Sequence, residues 1–241
     1  MDKCIILRYG EISVRGRNRI FYEDVLERNV REILKRNNVP AKIRRYKGRM
    51  IVLTDANADF LKRAFGVTSF SLGYRVKRSG EEINNAVKMF GNPLPLIKFA
   101  DRGKEDKELV EKVNLGSDGK AFVEIYPDNA FVSQKKEKAA GGLPVGSEGK
   151  VIVVIEDQRS ILSAILMMKR GCEVIPYLKK EVNLDLLRAY GCYNEPVKEM
   201  PSDADAIVSE FKEPSELPRL NPLVGINKEK TEEMLKFYSE L

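Results

Sequence analysis

The residues with the most chemical content in this 241-residue chain lie between two apolar runs, in Glu156-Asp157-Gln158-Arg159-Ser160. Residues 151–155 are branched and apolar throughout, the pattern of a strand buried on both faces of a parallel sheet. Ile161, Leu162, Ile165, Leu166 and Met168 then give a helix its apolar side, with Lys169 and Arg170 in its last turn and Gly171 placed to end it. A turn at the carboxyl end of a strand and the start of a helix is where α/β folds bind ligands, anions above all. Closing on a phosphate takes glycines, whose N–H groups can converge without Cβ clashes. This turn has none, and its two carboxylates repel phosphate. The stretch before it, GGLPVGSEGK at 141–150, reads as a shaped turn delivering the chain into the sheet, because no Lys-Ser or Lys-Thr pair follows a glycine at phosphate-loop spacing.

What the chain lacks narrows its other chemistries. It has no histidine, so Ser-His and Cys-His pairs are excluded, and its three cysteines have no C-x-x-C spacing that would suggest zinc. Cys4 and Cys172 border apolar strands and read as buried small hydrophobes. Cys192, within Tyr190-Gly191-Cys192-Tyr193-Asn194, is the one candidate reactive thiol, although nothing basic flanks it closely. No metal ligand and no catalytic residue is assigned.

The cationic residues point to a polyanion. Residues 1–78 hold 19 Lys and Arg against 8 Asp and Glu, a net +11, whereas 79–150 carry −1 and 151–241 carry −4. Basicity is thus confined to the first third, as expected where that part alone touches a nucleic acid. Arg15, Arg17 and Arg19 alternate around Gly16 and Asn18; Arg44, Arg45, Lys47 and Arg49 cluster across a hairpin; Arg75, Lys77 and Arg78 form a third group. Lys135, Lys136 and Lys138 follow later. Clustered guanidiniums suit phosphate contacts, whose affinity falls as salt rises. Tyr9 and Tyr46 are candidates to stack on bases, with core packing the commoner fate. No recognition-helix motif is present, which favours folded RNA over duplex DNA.

The elements that must position these residues follow from periodicity. Residues 1–78 read as strand (4–9), helix, strand (42–46), strand (49–54), helix, strand (68–76), the order of a ferredoxin-like βαββαβ unit. Phe21, Val25, Leu26, Val30, Ile33 and Leu34 supply the first helix's apolar face, with pairs Asp24/Arg28, Glu27/Arg31 and Glu32/Arg36 along it. Asn57 caps the second, which carries Phe60, Leu61, Ala64 and Phe65 and ends at Gly66. Residues 79–150 suggest a helix with Ile83, Val87 and Phe90, another at 106–113, and a hairpin of 121–126 with 130–134. Beyond 150, strands at 151–155, 173–178, 206–208 and 223–226 alternate with helices, the last from Lys228 behind Asn227, and predict a small parallel sheet. The expected class is therefore α/β with an α+β N-terminal part, in domains 1–78, 79–150 and 151–241. With no apolar run of membrane-spanning length and no leader pattern, a soluble cytoplasmic protein without a membrane partner is expected.

The stretch Ile5 to Val30, IILRYGEISVRGRNRIFYEDVLERNV, resembles the opening signature of the tRNA 4-thiouridine synthetase family, sulfurtransferases also used in thiazole biosynthesis. In that signature a strand ending Arg/Lys-Tyr-Gly-Glu leads through Lys/Arg-Gly-x-Asn-Arg into a helix. Phe65-Gly66-Val67-Thr68-Ser69-Phe70-Ser71 resembles the family's continuation, and GGLPVGSEGKVIVVI with LMMKRGCEVIPYL resembles the entry to its PP-loop ATP domain. The resemblance implies a ferredoxin-like domain, a shortened THUMP-like RNA-binding domain holding Lys135, Lys136 and Lys138, and a PP-loop-like (Rossmann-like) domain recognisable in its first half. It implies tRNA as partner and the uridine at the tRNA elbow as target. The family's turn after the strand is Ser-Gly-Gly-x-Asp-Ser. Here the turn is one residue shorter and only Ser160 matches, which leaves Ser160 as the sole cofactor-binding candidate.

Three readings remain open. The chain is a tRNA-binding member of the family, involved in thiolation without ATP-dependent adenylation of its own, without a cofactor, and working with a separate catalytic or sulfur-carrying protein or as a homodimer. Alternatively it is an active sulfurtransferase that uses ATP and Mg²⁺ in an atypical loop. The third reading is a general RNA-binding protein. The missing glycines favour the first over the second, and the length of the family resemblance favours both over the third.

Overall fold

The computed structural model describes residues 1–100, 105–113, 119–201, 203–211 and 215–241. Their strands are β1 (Asp2–Arg8), β2 (Lys42–Tyr46), β3 (Arg49–Leu53), β4 (Ser69–Lys77), β5 (Leu94–Phe99), β6 (Lys120–Ile125), β7 (Asn129–Ser133), β8 (Glu137–Lys138), β9 (Lys150–Ile155), β10 (Glu173–Leu178), β11 (Ala206–Val208) and β12 (Arg219–Leu220). Their α-helices are α1 (Arg19–Arg36), α2 (Gly80–Lys88), α3 (Lys107–Lys112), α4 (Gln158–Lys169), α5 (Asp185–Ala189) and α6 (Lys228–Glu240). None of them is long and apolar enough to cross a membrane. Contacts divide the chain into two compact units, each assembled from separated segments.

The first unit comprises Met1–Arg8, Asn37–Ala58 and Ser69–Lys138. Its sheet runs β2-β3-β1-β4-β7-β6-β5, with β8 also on β4. The segment β2-β3-β1-β4 has the ferredoxin-like strand order expected of residues 1–78, and the same sheet continues without a break into β7, β6 and β5. One face buries Val76, Val123, Ile125 and Val132 against Ile83, Ala86 and Val87 of α2. Ser79 caps that helix by accepting from the Glu82 N–H. The alternate residues, including Cys4, Ile6, Ile51 and Phe131, form a smaller cluster on the other face. Sequence reading missed β5, which pairs in parallel with β6 at the sheet's edge. Its LPLIKF sequence contains Pro95, and a proline that has no N–H to give is tolerated at an edge.

The second unit comprises Tyr9–Arg36, Asp59–Thr68 and Ala139–Leu241. Helix α1 buries Tyr22, Val25, Leu26, Val30, Ile33 and Leu34. Tyr22 replaces the expected Phe21, which is 52% exposed. The ion pairs Glu27/Arg31 and Glu32/Arg36 form as the i,i+4 spacing suggested. The expected α-helix after Asn57 is a short 3-10 helix, Asp59–Arg63. The parallel sheet is β10-β9-β11-β12. Val151, Val153 and Ile155 pack with Ile161, Leu162 and Ile165 of α4 on one face, while Ile152, Val154 and Ile207 form the other. The strand expected at 223–226 is a turn, and β12 lies just before it. Asn221 Oδ1 accepts from the Leu223 N–H and Gly225 sits at φ +79°, so these residues cannot extend a ladder.

The Gly- and Pro-rich stretch is a clamp on α4. Leu143 N–H donates to Lys169 O, and the N–H groups of Gly146, Ser147 and Glu148 converge on Gly171 O. Orphan carbonyls at the helix end are thereby satisfied. Gly142, at φ +73°, lies so close that a Cβ would stand 2.2 Å from Lys169 O.

Candidate nucleic-acid interface

The first unit's less covered sheet face gathers charge. Antiparallel pairing sets Tyr46, Arg49, Arg8 and Ser69 in one row across β2, β3, β1 and β4. A second row places Arg75, Phe131, Glu124 and Lys98 across β4, β7, β6 and β5. The rows meet at Glu124. Arg8 donates from Nε to its Oε1 at 2.9 Å and from a terminal nitrogen to the same oxygen at 2.5 Å, while Arg49 Nε donates to Oε2 at 2.6 Å. Arg8 also donates to Ser71 Oγ at 2.7 Å.

Arg8 and Glu124 are each only 6% exposed, so two guanidiniums share one buried carboxylate and leave an excess positive charge. Burial alone would raise the Glu124 pKa, yet Arg8 and Arg49 outweigh it and hold the carboxyl below its usual range. Burial lowers the Arg8 pKa and Glu124 opposes that shift. A guanidinium still stays charged at neutral pH. Lys136 Nζ stands 4.0 Å over the Phe122 ring, and its pKa is lowered by burial first and by Arg8 next. Tyr46, Tyr126 and Phe131 form an edge-to-face trio with centroids 4.9 to 5.5 Å apart. Exposed Arg44, Lys98 and Lys135 extend the cationic surface, and Lys135 lies 3.8 Å from Glu137.

The sequence-predicted residues divide accordingly. Arg44, Arg49, Lys135, Lys136 and Lys138 belong to this unit's β2, β3 and β7–β8 region, Lys47 is in the hairpin turn, and Arg45 alternates to the opposite face from Arg44. Arg15, Arg17 and Arg19 belong to the second unit, where two are engaged internally. Arg19 Nε donates to Glu23 Oε1 at 2.7 Å, an oxygen that also accepts from Tyr9 OH. Arg15 stands 4.9 Å over the Tyr22 ring and 3.9 Å from Glu148. Arg17 is exposed. Tyr46 joins the aromatic trio, whereas Tyr9 is buried. Sequence reading missed Arg8, Lys98 and Glu124. The available signal was the period-2 pattern of KAFVEI, which places Phe122 and Glu124 on the face away from Val123 and Ile125.

In the second unit the strand-turn-helix at 150–169 forms as expected, and its turn is closed. Asp157 caps α4 by accepting from the Ser160 N–H at 2.9 Å, while Ser160 Oγ accepts from the N–H groups of Glu156 and Asp157 at 3.0 Å. Arg159 bonds Glu210, Thr231 Oγ1 at 2.7 Å and the carbonyls of Ile226 and Leu223. Lys179 Nζ lies 3.6 Å from Glu156. The cleft left among Val154, Glu156, Asp157, Ser160, Ser209 and Phe211 is about 30 Å³, far below the several hundred Å³ of ordinary ligand sites. These residues do not fit a triphosphate.

All three cysteines are buried. Burial pushes Cys192 up to about 11 and Cys4 up to about 12, and Cys192 Sγ donates to Val174 O at 3.5 Å. The candidate reactive thiol is thus buried and protonated, because the loop around it folds inward.

Known proteins resemble this chain in sequence and fold. Residues 4–71 match the family described as the ThiI ferredoxin-like domain. The probable tRNA sulfurtransferase of Thermococcus kodakarensis is 32% identical over 209 residues, covering 73% of this chain and 55% of that protein. Its counterpart in Methanosarcina mazei is 31% identical over 232 residues, covering 79% and 56%. Among solved structures, PH1313 from Pyrococcus horikoshii superposes with a TM-score of 0.78 at 25% identity, over 98% of this chain and 99% of that one. A 4-thiouridine synthetase solved as an RNA complex with bound ATP shares the fold, with a TM-score of 0.77 at 20% identity over 99% of this chain and 85% of that one. The chain spans about half the length of the curated relatives it matches. With relatives 32% and 31% identical over more than two thirds of its length and a ThiI ferredoxin-like match at residues 4–71, the chain belongs to the ThiI-type tRNA sulfurtransferase family.

Proposed function

We propose that this protein binds tRNA and takes part in its thiolation without adenylating the substrate itself, with nucleotide and sulfur chemistry supplied by a separate protein. The observation that carries this reading is the closed turn. Glu156 and Asp157 spend their N–H groups on Ser160 Oγ, which takes those two donors from a pyrophosphate at this turn. The cationic sheet face supports the tRNA half: it presents Arg44, Lys98 and Lys136 around the excess charge of Arg8 and Arg49. Buried, protonated cysteines support a sulfur carrier elsewhere.

Two titrations test the reading. Folded tRNA is expected to bind with an affinity that falls steeply with salt, and Mg-ATP is expected to give no micromolar binding isotherm. Micromolar Mg-ATP binding lost in Ser160→Ala defeats the proposal in favour of an active enzyme. Equal affinity for tRNA and for unrelated RNA defeats it in favour of a general RNA binder.

A further inference from the structure

Leu72 is an anomaly. It lies in the middle of β4, opposite Ile5, which is 1% exposed, yet Leu72 itself is 49% exposed. Above it is a pocket of about 420 Å³, lined by Lys3 and Ile5 of β1, Leu72 and Tyr74 of β4, Phe90 beyond α2, and the loop at 54–57. Strand alternation puts Ile5, Leu72 and Tyr74 on the face opposite Ile6, Ser71 and Arg8. The pocket therefore opens away from the cationic rows and is a different site.

Its chemistry is specific. The floor is Leu72 and Ile5, and one wall is the Tyr74–Phe90 pair, whose centroids are 5.5 Å apart. The loop is preset, since Thr54 Oγ1 donates to Pro40 O and accepts from the Ala56 N–H. Asp55 and Asn57 of that loop also line the pocket. Lys3 is exposed, with no carboxylate partner among the described residues. An apolar floor, an aromatic wall, an edge of hydrogen-bonding groups and one amine match a planar heterocycle bearing an anion. A fatty acid would need a longer apolar lining than a pocket with four loop residues offers.

We propose that this pocket binds a single nucleotide, with its base against Leu72 and the Tyr74–Phe90 wall and its phosphate at Lys3. The nucleotide is either free or an unstacked residue of RNA, and the site goes beyond the tRNA reading because free mononucleotides test it directly.

The test is an amide NMR titration of the full chain with AMP, GMP, CMP and UMP, using ribose 5-phosphate as control. Saturable shifts at Lys3, Ala56, Leu72 and Tyr74 with at least one nucleotide, and none with the control, support the site. Leu72→Arg should abolish them by filling the pocket, and Lys3→Gln should weaken binding about two- to fivefold, as for one solvated ion contact. Should Leu72→Arg fail to fold, Lys3→Gln still decides. Displacement of the mononucleotide by a short single-stranded oligonucleotide identifies RNA as the source, and failure of displacement identifies free nucleotide. Absence of shifts with all four nucleotides, or shifts unchanged in both variants, overturns the proposal whatever the tRNA titration shows.

Discussion

Two regions of this molecule concentrate charge, and they treat it in opposite ways. On the first unit's sheet, Arg8 and Arg49 outnumber the single carboxylate they share, and Arg44, Lys98 and Lys136 add charge at the surface. In the turn at 156–160 every strong group has a partner: Asp157 with Ser160, Arg159 with Glu210, Glu156 with Lys179. A surplus of one sign is a handle for an outside polyanion, whereas a closed set of pairs is stability and no more. At 156–160 the Asp157–Ser160 pair forms a helix cap.

The sharpest test removes the carboxylate on which the sheet depends. Glu124→Ala leaves two guanidiniums, one buried and one half-buried, without their anion, and is expected to cost about 3–5 kcal/mol, read as a fall in the urea midpoint. A loss below about 1 kcal/mol would mean that water already compensates these charges, and the contrast with the turn would fail. The pH dependence has a definite sign. A carboxyl held below its unfolded value, about 4.3, contributes stability that is fully present above that pH and is lost as pH falls through the folded value. The stability gap between the wild-type protein and Glu124→Gln should therefore be widest at neutral pH and narrow below about pH 4.

A second test addresses the surface charges alone. Replacing Arg44, Lys98 and Lys136 with Ala should leave the fold intact and weaken tRNA binding by about ten- to a hundredfold. The slope of log affinity against log salt should flatten by about 0.9 for each phosphate that is no longer neutralised. Filter binding across a salt series checks both. The matched triple variant Arg15, Arg17 and Arg19→Ala sharpens the comparison. Arg19 and Arg15 already have partners in Glu23 and Glu148, so its effect on affinity should be smaller. A larger effect would move the interface to the second unit.

Legibility in the sequence follows the range of the forces involved. Strands β1, β3, β9 and β10 are readable because apolar runs need only local pattern, and the Asn227 cap because capping is local chemistry. Strand β5 is hidden by Pro95, whose tolerance depends on the strand's edge position. Phe21 stands one helical turn from Val25, and Tyr22 one turn from Val25 and Leu26, so either can extend the apolar stripe and only tertiary packing decides which is buried. The arginine clusters are visible as composition, but their partners are not: Arg8 and Glu124 lie 116 residues apart. The two carboxylates of the turn are hostile to phosphate on their chemistry alone. That Ser160 takes both N–H groups follows from capping geometry, which the S-x-x-type patterns of sequence reading do not resolve in a shortened turn.

The smallest effect belongs to the turn itself, and its direction discriminates best. Asp157→Ala removes the acceptor for the Ser160 N–H and should cost about 1 kcal/mol, a drop of a few degrees in Tm. It also removes one of the two carboxylates that oppose phosphate. If charge repulsion alone had silenced an otherwise intact nucleotide site, this variant would gain Mg-ATP affinity while losing stability. The structure argues against such a gain. Ser160 Oγ would still hold the N–H groups of residues 156 and 157, Arg159 would still bridge to Glu210 and Thr231, and no glycine would let the backbone close on an anion. The expected outcome is therefore a less stable protein with no Mg-ATP isotherm, measured by calorimetry on the same sample that gives the Tm. A gain in ATP affinity would show that the turn is a nucleotide site masked by charge and would erase the difference between the two regions.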